Sequence, residues 1–301
     1  MVKFKQLFRM LKLAFAGWQK DNAGRLSAAL AYYTIFSLAP ILIIAIAVAG
    51  VVFGEEAAQG EIVRQLQGTI GTEGAQIIET MIENTREAGS GLWATLISVG
   101  VLLFAATGLF NQLQGSLNTI WNVKPKPGRG IKGIIQDRFL SFAMILTIGF
   151  LLLVSLVISA ALAAFGNFFS HLVPDMLMGL WQVLDFLLSF GVITVLFAMI
   201  YKVLPDVKIS WNDVWLGAIV TALLFVVGKT LIGLYLGNST IGSTYGAAGS
   251  LVVLLLWVNF SAQILFFGAE FTQVYANRYG SRIVPTENAI AVGGDEHTHP
   301  S

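Results

Sequence analysis

The run Gly228-Lys229-Thr230 invites a chemical interpretation, because Gly-Lys-Thr ends the phosphate-binding loop of many nucleotide-binding proteins. That loop needs another glycine five residues before its Gly-Lys pair, so that backbone N–H groups can surround the phosphates. Here that position is Leu223, and residues 224–227 are bulky and apolar. The spacing therefore argues against a nucleotide site, and it leaves open why a lysine stands in an apolar segment.

The composition predicts a membrane protein. The chain of 301 residues is 56% hydrophobic and 12% charged, its mean hydropathy is +0.75, and soluble domains carry about 25% charged residues. The absence of cysteine excludes disulfides, thiolate metal sites and thiol nucleophiles. Arg9 and Lys12 interrupt any apolar core near the N-terminus, so we expect no cleavable signal there. We expect neither a cofactor nor a metal ion.

Six stretches with at most one charge each have the length of about 20 residues that a helix needs to cross the hydrocarbon. They are residues 28–53, 91–121, 139–165, 176–201, 214–241 and 246–273. We therefore expect an all-α, polytopic membrane protein whose six transmembrane helices form one domain over residues 27–280.

The basic residues predict the orientation of these spans. Fifteen of the 18 lysines and arginines fall before the first span, in alternate loops, or after the last span. Cytoplasmic loops carry the excess of basic residues in membrane proteins, so both termini are expected in the cytoplasm.

Three segments outside the spans have their own character. Apolar and basic residues alternate at helical spacing within residues 1–26, which predicts an amphipathic helix on the cytoplasmic membrane surface or, equally, one packed on the other spans. Residues 54–90 hold seven glutamates and two apolar runs, which predicts two short helices capping the outer face. Residues 281–301 are expected to form a flexible cytoplasmic tail.

Lys229 in the fifth span has a possible partner in Asp185 of the fourth. Each lies eight residues from the outer end of its span, so the two charges have matched depths. Each alone would cost about 2.5–3.5 kcal/mol on insertion scales, and pairing would recover part of that cost. Alternatively, Lys229 extends its long side chain to the outer surface and Asp185 is protonated.

Two further spans carry polar residues along one helical face. Asn111, Gln114 and Asn118 are three and four residues apart in the second span. In the sixth, Asn259, Gln263 and Glu270 are four and seven residues apart. Such faces avoid lipid, so they either form hydrogen bonds between helices or line a polar cavity that opens toward the cytoplasm.

Several motifs in order along the chain resemble the BrkB/YihY family of bacterial inner-membrane proteins. They are SAALAYYTIFSLAPILI (27–43), LNTIWNV (117–123), the long run 201–236, STYGAAGSLVVLLLWV (243–258) and ILFFGAEFTQVYA (264–276). The resemblance implies six transmembrane helices and a place in the bacterial inner membrane. Beside Lys229 and Glu270, it draws attention to Tyr32, Tyr33, Ser37, Pro40, Trp121, the run Tyr201–Pro205, Tyr245, Gly246 and Trp257.

The resemblance leaves the function open, since family members have been called virulence factors, transporters and ribonuclease BN. Metal-dependent RNA hydrolysis needs clustered histidine and carboxylate ligands. The histidines here are His171 in an outer loop and His297 and His299 in the tail. We therefore expect neither nuclease activity nor a nucleic-acid partner, and no catalytic constellation favours another enzyme.

The main functional hypothesis is a transporter or translocator of a lipid or small solute. It would use Lys229, Asp185 and Glu270 with the polar faces of spans two and six, and Lys229 would suit an anionic headgroup or solute. The alternative is a non-transporting envelope scaffold that acts through its N-terminal helix and outer cap. Membrane lipids are expected partners in either case, and the sequence leaves homo-oligomerisation open.

Overall fold

The computed structural model describes residues 4–87, 107–127, 175–237 and 249–292, which are mainly helical. In chain order the helices are α1 (Phe4–Lys20), α2 (Ala23–Phe53), α3 (Glu55–Glu87), α4 (residues 107–120), α5 (Asp175–Val203), α6 (Trp211–Gly237) and α7 (Gly249–Tyr279). Four short strands accompany them: β1 (Val123–Pro125), β2 (Val207–Lys208), β3 (Val284–Pro285) and β4 (Ala289–Ala291).

Three of these helices contain segments long and apolar enough to cross a membrane: Phe186–Val203 in α5, Trp211–Tyr235 in α6 and Leu251–Tyr279 in α7. They correspond to the last three predicted spans. Helix α2 covers the first predicted span and α4 the end of the second, whereas the third, residues 139–165, lies outside the described residues. The count of six and the orientation stay predictions.

Helix α1 packs on α7 and also keeps an exposed amphipathic surface. Met10 and Ala14 are buried against Phe271, while Phe8 and Phe15 are 67% and 49% exposed. Asn22 ends the turn after α1 with a φ of 52°, a left-handed conformation that asparagine tolerates better than most residues. The packing agrees with the prediction of a helix packed on the other spans. The exposed side chains are also compatible with a helix that contacts the membrane surface.

The predicted outer cap is one helix and not two. Helix α3 runs without interruption for 33 residues and packs against α2 and α7. Ala58, Ile78 and Ile82 are buried in a cluster with residues of those two helices. Two separate apolar runs predicted two helices, but each glycine between them weakens a helix by only about 1 kcal/mol, and contacts with neighbouring helices offset that cost.

The four strands lie at one end of the bundle, which we call the strand end. Strand β4 pairs antiparallel with β1, and β3 pairs antiparallel with β2. The sequence predicted a flexible tail from residue 281, but Val284–Pro285 and Ala289–Ala291 form strands β3 and β4. The prediction was wrong for them because backbone pairing with β1 and β2 holds a segment whose own residues show little periodicity.

Helices α6 and α7 interlock through two reciprocal glycine–threonine contacts. A Cβ on Gly217 of α6 would overlap Thr272 of α7, and a Cβ on Gly268 of α7 would overlap Thr221 of α6. Each threonine bonds the carbonyl of the glycine one turn back in its own helix, at 2.7 Å in both cases. Small residues at these spacings let two membrane helices approach closely.

Tyr201 of α5 completes this contact. Its hydroxyl donates to the Leu265 carbonyl of α7 at 2.7 Å and lies 3.0 Å from Thr221 Oγ1 of α6. The side chain is fully buried. One tyrosine therefore ties three helices together where a polar group without a partner would be costly.

The structure also explains Gly228-Lys229-Thr230. These residues lie inside α6, so they form no loop, and Gly228 packs against Phe260 and Ile264 of α7. The spacing Gly233-x-x-x-Gly237 in the same helix is one that permits close helix packing, but a Cβ on Gly233 would meet nothing within 4 Å. The close approach is at Gly217, Gly228 and Gly268 instead.

We predict that Gly268→Ala destabilises the protein by about 1–3 kcal/mol, the usual cost of overpacking a well-packed interior. The added methyl group must displace Thr221 and the Tyr201 hydroxyl, whereas Gly233→Ala places its methyl in open space. Thermal unfolding in detergent should give a lower midpoint for Gly268→Ala and an equal or higher one for Gly233→Ala. Equal midpoints for the two variants would contradict the interlock.

Candidate functional site

A polar cavity of about 260 Å³ lies at the strand end, beside the C-terminal half of α4. Asn111, Gln114 and Asn118 line one wall, so the structure brings together the three residues of the polar stripe predicted in span two. Their spacing of three and four residues places them on one helical face. The opposite wall comes from β1 and from the turn between α5 and α6, through Lys124 and Asp206.

Asn118 and Asp206 hold the two walls together. Asn118 Nδ2 donates to Asp206 Oδ2 at 3.0 Å, and the Asp206 backbone N–H donates to Asn118 Oδ1 at 2.9 Å. Asn118 is 4% exposed. Both ends of one buried amide are therefore satisfied by one residue 88 positions away, which fixes the α5–α6 turn against α4.

The C-terminal segment braces both walls from outside. The N–H of Val292 donates to the Asn122 carbonyl at 2.7 Å, next to β1, and the N–H of Thr286 donates to the Asp206 carbonyl at 3.0 Å. The pairing of β4 with β1 adjoins the first of these bonds, and the pairing of β3 with β2 adjoins the second. The cavity therefore depends on a segment that follows the last helix.

The cavity offers donors, acceptors and both signs of charge. Asn111 and Gln114 carry amide groups, Lys124 is a cation with three N–H donors, and Asp206 is an acceptor when ionised. An uncharged apolar ligand would displace water from Asn111, Gln114 and Lys124 without replacing its hydrogen bonds, which is unfavourable. The arrangement suits a small polar, anionic or zwitterionic group.

The polar residues of α7 do not line this cavity. Gln263 Nε2 donates to Asn259 Oδ1 at 2.7 Å within α7, so these two side chains satisfy each other. Glu270 lies about two turns beyond Gln263 on α7, and it is buried against α1. The charged residues beside Glu270 are Asp21 and Lys20.

Lys229 is exposed on α6. It lies about 27 Å along the helix from Trp211 at the strand end, so it is remote from the cavity. The side chain of Asp185 lies outside the described residues, and the Asp185–Lys229 pair stays a prediction.

The residues that the family resemblance singled out fall into two groups. Trp121, Pro205 and Tyr201 are buried around the α5–α7 contact, where Trp121 Nε1 donates to the Ala269 carbonyl at 3.2 Å. Trp257 packs edge-on against Phe225, with ring centroids 6.2 Å apart. These are core residues.

The second group lies on α2 or outside the described residues. Tyr32 and Tyr33 are exposed, and Ser37 is buried with its hydroxyl donating to the Tyr33 carbonyl at 2.8 Å. Helix α2 continues through Pro40. Tyr245 and Gly246 lie outside the described residues.

Sequence reasoning missed Asp206 and Lys124 as cavity residues and Asp21 as the neighbour of Glu270. No local signal marks these contacts, because the partners are separated by long stretches of chain. Asp206 did lie within one of the motifs that carried the family resemblance. The order of the family motifs along the chain was therefore the one feature of the sequence that indicated Asp206.

Among the described residues, three helices of membrane-spanning length indicate a membrane protein. The family model described as "Virulence factor BrkB" matches residues 14–291. The chain therefore belongs to the BrkB family, which confirms the resemblance seen in its motifs.

The relatives are likewise named as membrane proteins. A "UPF0761 membrane protein" of Azotobacter vinelandii is 31% identical over 266 residues, covering 85% of this chain and 60% of the relative. Proteins of the same name from Verminephrobacter eiseniae and Psychromonas ingrahamii are 29% and 28% identical, covering 85% and 90% of this chain and 59% and 89% of the relative. The chain thus spans about three fifths of the first two. No solved structure matches the chain.

We predict that Asn118→Ala lowers the free energy of unfolding by about 1–3 kcal/mol, because it removes both bonds to Asp206 from a buried site. Thr119→Ala is the control, since Thr119 is exposed and its hydroxyl bonds the Gly115 carbonyl within its own helix. That variant should stay within about 0.5 kcal/mol of the unsubstituted protein. Equal unfolding curves for the two variants would show that the Asn118–Asp206 pair does not hold the walls together.

Proposed function

We propose that this chain transports or translocates a small polar solute or a lipid headgroup across the bacterial inner membrane, and that the cavity at the strand end is its cytoplasmic binding site. The observation that carries the proposal is the cavity lined by Asn111, Gln114, Asn118, Lys124 and Asp206. Polar groups at the ends of membrane helices are costly unless they meet each other, water or a ligand. A cavity of about 260 Å³ leaves room for a ligand beside the Asn118–Asp206 pair.

The cytoplasmic placement follows from the distribution of basic residues. Basic residues at the strand end include Lys124, Lys126 and Lys208, together with Lys202 in the last turn of α5 and Arg278 and Arg282 at and just after the end of α7. The excess of lysine and arginine on this side supports a cytoplasmic strand end. No nucleotide-binding motif is present in the sequence, so active transport would draw on an ion gradient or a partner protein.

We predict that a ligand of the correct class raises the thermal midpoint of the purified protein, because it binds the folded state alone. Saturation to 100 times Kd would stabilise the protein by about 2.7 kcal/mol. Zwitterionic headgroups, anionic headgroups and small anionic solutes are the classes to compare. The class that stabilises the protein is then tested for uptake in proteoliposomes.

The control for this experiment is on the same helix. Gln114→Ala removes a lining amide, whereas Gln112→Ala removes an amide that bonds Ser116 at 3.3 Å and does not line the cavity. We expect Gln114→Ala to abolish the ligand-dependent shift and uptake, and Gln112→Ala to retain both. Equal behaviour of the two variants would place the binding site elsewhere.

A scaffold is the alternative function, and the exposed surface of α1 favours it. Phe8 and Phe15 are exposed there beside Lys5, Arg9 and Lys12, a combination that suits an anionic membrane surface. A scaffold requires that Gln114→Ala leave cellular function intact while Phe8→Ser or Arg9→Glu abolishes it. A transporter requires that Gln114→Ala abolish cellular function while Phe8→Ser and Arg9→Glu retain it.

Lys229 and Asp185 enter this proposal as a pair near the outer end of the spans. If they pair, exchanging them as Asp185→Lys with Lys229→Asp should preserve more protein and activity than either Asp185→Asn or Lys229→Gln, because the exchange keeps both charges matched. Expression level and transport activity of the three variants measure this. Equal loss in all three would show that the charges act independently.

A further inference from the structure

Glu270 is a buried acid for which α7 supplies no partner. Its side chain is 1% exposed, and Oε1 accepts no hydrogen bond from the residues that the structure describes. Oε2 faces Gly17 of α1 so closely that a Cβ at that position would overlap it. Glycine at position 17 is therefore what lets the carboxyl group of α7 reach the end of α1.

The group that it reaches is another carboxyl. Asp21, in the turn after α1, lies within hydrogen-bonding reach of Glu270. Burial raises the pKa of Asp21, and the neighbouring Lys20 opposes this shift only in part. Lys20 is itself exposed, so water weakens its effect on the two carboxyl groups.

Two ionised carboxylates cannot form a hydrogen bond with each other, because each is only an acceptor. At hydrogen-bonding distance they also repel, and one of them keeps its proton. The charged groups that act on Glu270 are Asp21, which repels its negative charge, and Lys20, which attracts it. Next to Glu270 in the chain, Phe271 is buried against Met10 and Ala14 of α1.

We infer that Asp21 and Glu270 hold one proton between them, and that this proton-binding site keeps α1 seated on α7. The O–H of one carboxyl donates to an oxygen of the other, which leaves a single negative charge near Lys20. Removal of the proton leaves two facing carboxylates inside a buried contact, and α1 separates from α7. The inference is independent of the transport function, since it concerns α1 and not the cavity.

The sign of the pH dependence follows from the extra proton that the seated state holds. The seated state binds more protons than the separated one, so seating is favoured at low pH. Seating weakens as the pH rises above about 4, the ordinary range of a carboxyl group, because the separated carboxyls lose their protons there while the seated pair must keep one. Rising pH therefore releases a helix with an exposed basic and apolar surface.

The test measures the distance between α1 and α7 as a function of pH. Because the chain has no cysteine, spin labels can be attached at Lys12→Cys and Arg278→Cys, two exposed positions on these helices. Double electron–electron resonance in nanodiscs should show one short distance at low pH and a longer, broader distribution at high pH. Glu270→Gln should keep the short distance throughout, because its neutral amide can donate to Asp21.

Glu287→Gln is the matched control, because Glu287 is an exposed carboxylate 3.9 Å from Lys208. It should show the pH dependence of the unsubstituted protein. Infrared spectra should also contain the carbonyl band of a protonated carboxylic acid, which Glu270→Gln removes. A distance that does not change with pH, or one that changes with sodium at constant pH, would overturn the inference.

A second variant separates the carboxyls without altering either charge. Gly17→Ala places a methyl group against Glu270 Oε2, whereas Gly24→Ala meets nothing within 4 Å. We expect the longer α1–α7 distance at all pH values for Gly17→Ala and unchanged titration for Gly24→Ala. A normal titration in Gly17→Ala would show that α1 seating does not depend on the carboxyl pair.

Discussion

The close contact between α6 and α7 is the constraint on which the other contacts of the described structure depend. Apolar side chains gain little by leaving lipid for one another, so membrane helices associate through close packing and hydrogen bonds. Gly217 with Thr272, and Gly268 with Thr221, allow that close packing in both directions. Once α7 is held this near to α6, its carbonyls at Leu265 and Ala269 come within reach of Tyr201 and Trp121. The position of α5 and of the end of α4 therefore follows from two glycines.

The cavity at the strand end is built from parts that are far apart in sequence. One face of α4 supplies the amides, and the short turn before β2 supplies Asp206. Gln273 Nε2 of α7 donates to the Ile120 carbonyl at 2.7 Å, which holds the end of α4 to the bundle. The segment that pairs with β1 and β2 then covers strand edges that would otherwise be left unpaired. A local change in any of these elements would alter the shape of the site.

Polar side chains within the helices follow two rules, and Glu270 obeys neither. Ser27, Ser37 and Thr194 donate to the carbonyl one turn back in their own helices, so they need no other partner. Tyr201, Trp121 and Asn118 bond a different element and fix its position. An ionised carboxylate has no proton to give to a carbonyl, and Glu270 Oε1 accepts no hydrogen bond from the residues that the structure describes. The proton shared with Asp21 removes this conflict.

The sequence by itself determined the class of protein, since apolar helices of sufficient length are a property of local composition. It also identified the polar face of Asn111, Gln114 and Asn118, because helical periodicity is local. Tertiary contacts decided that α3 is one continuous helix despite its internal glycines. They also decided that the C-terminal segment forms β3 and β4, although its sequence shows little periodicity. The interlocking glycines, the Asn118–Asp206 pair and the Asp21–Glu270 contact were decided in the same way. Each joins residues on different elements, and their proximity arises only when the helices pack.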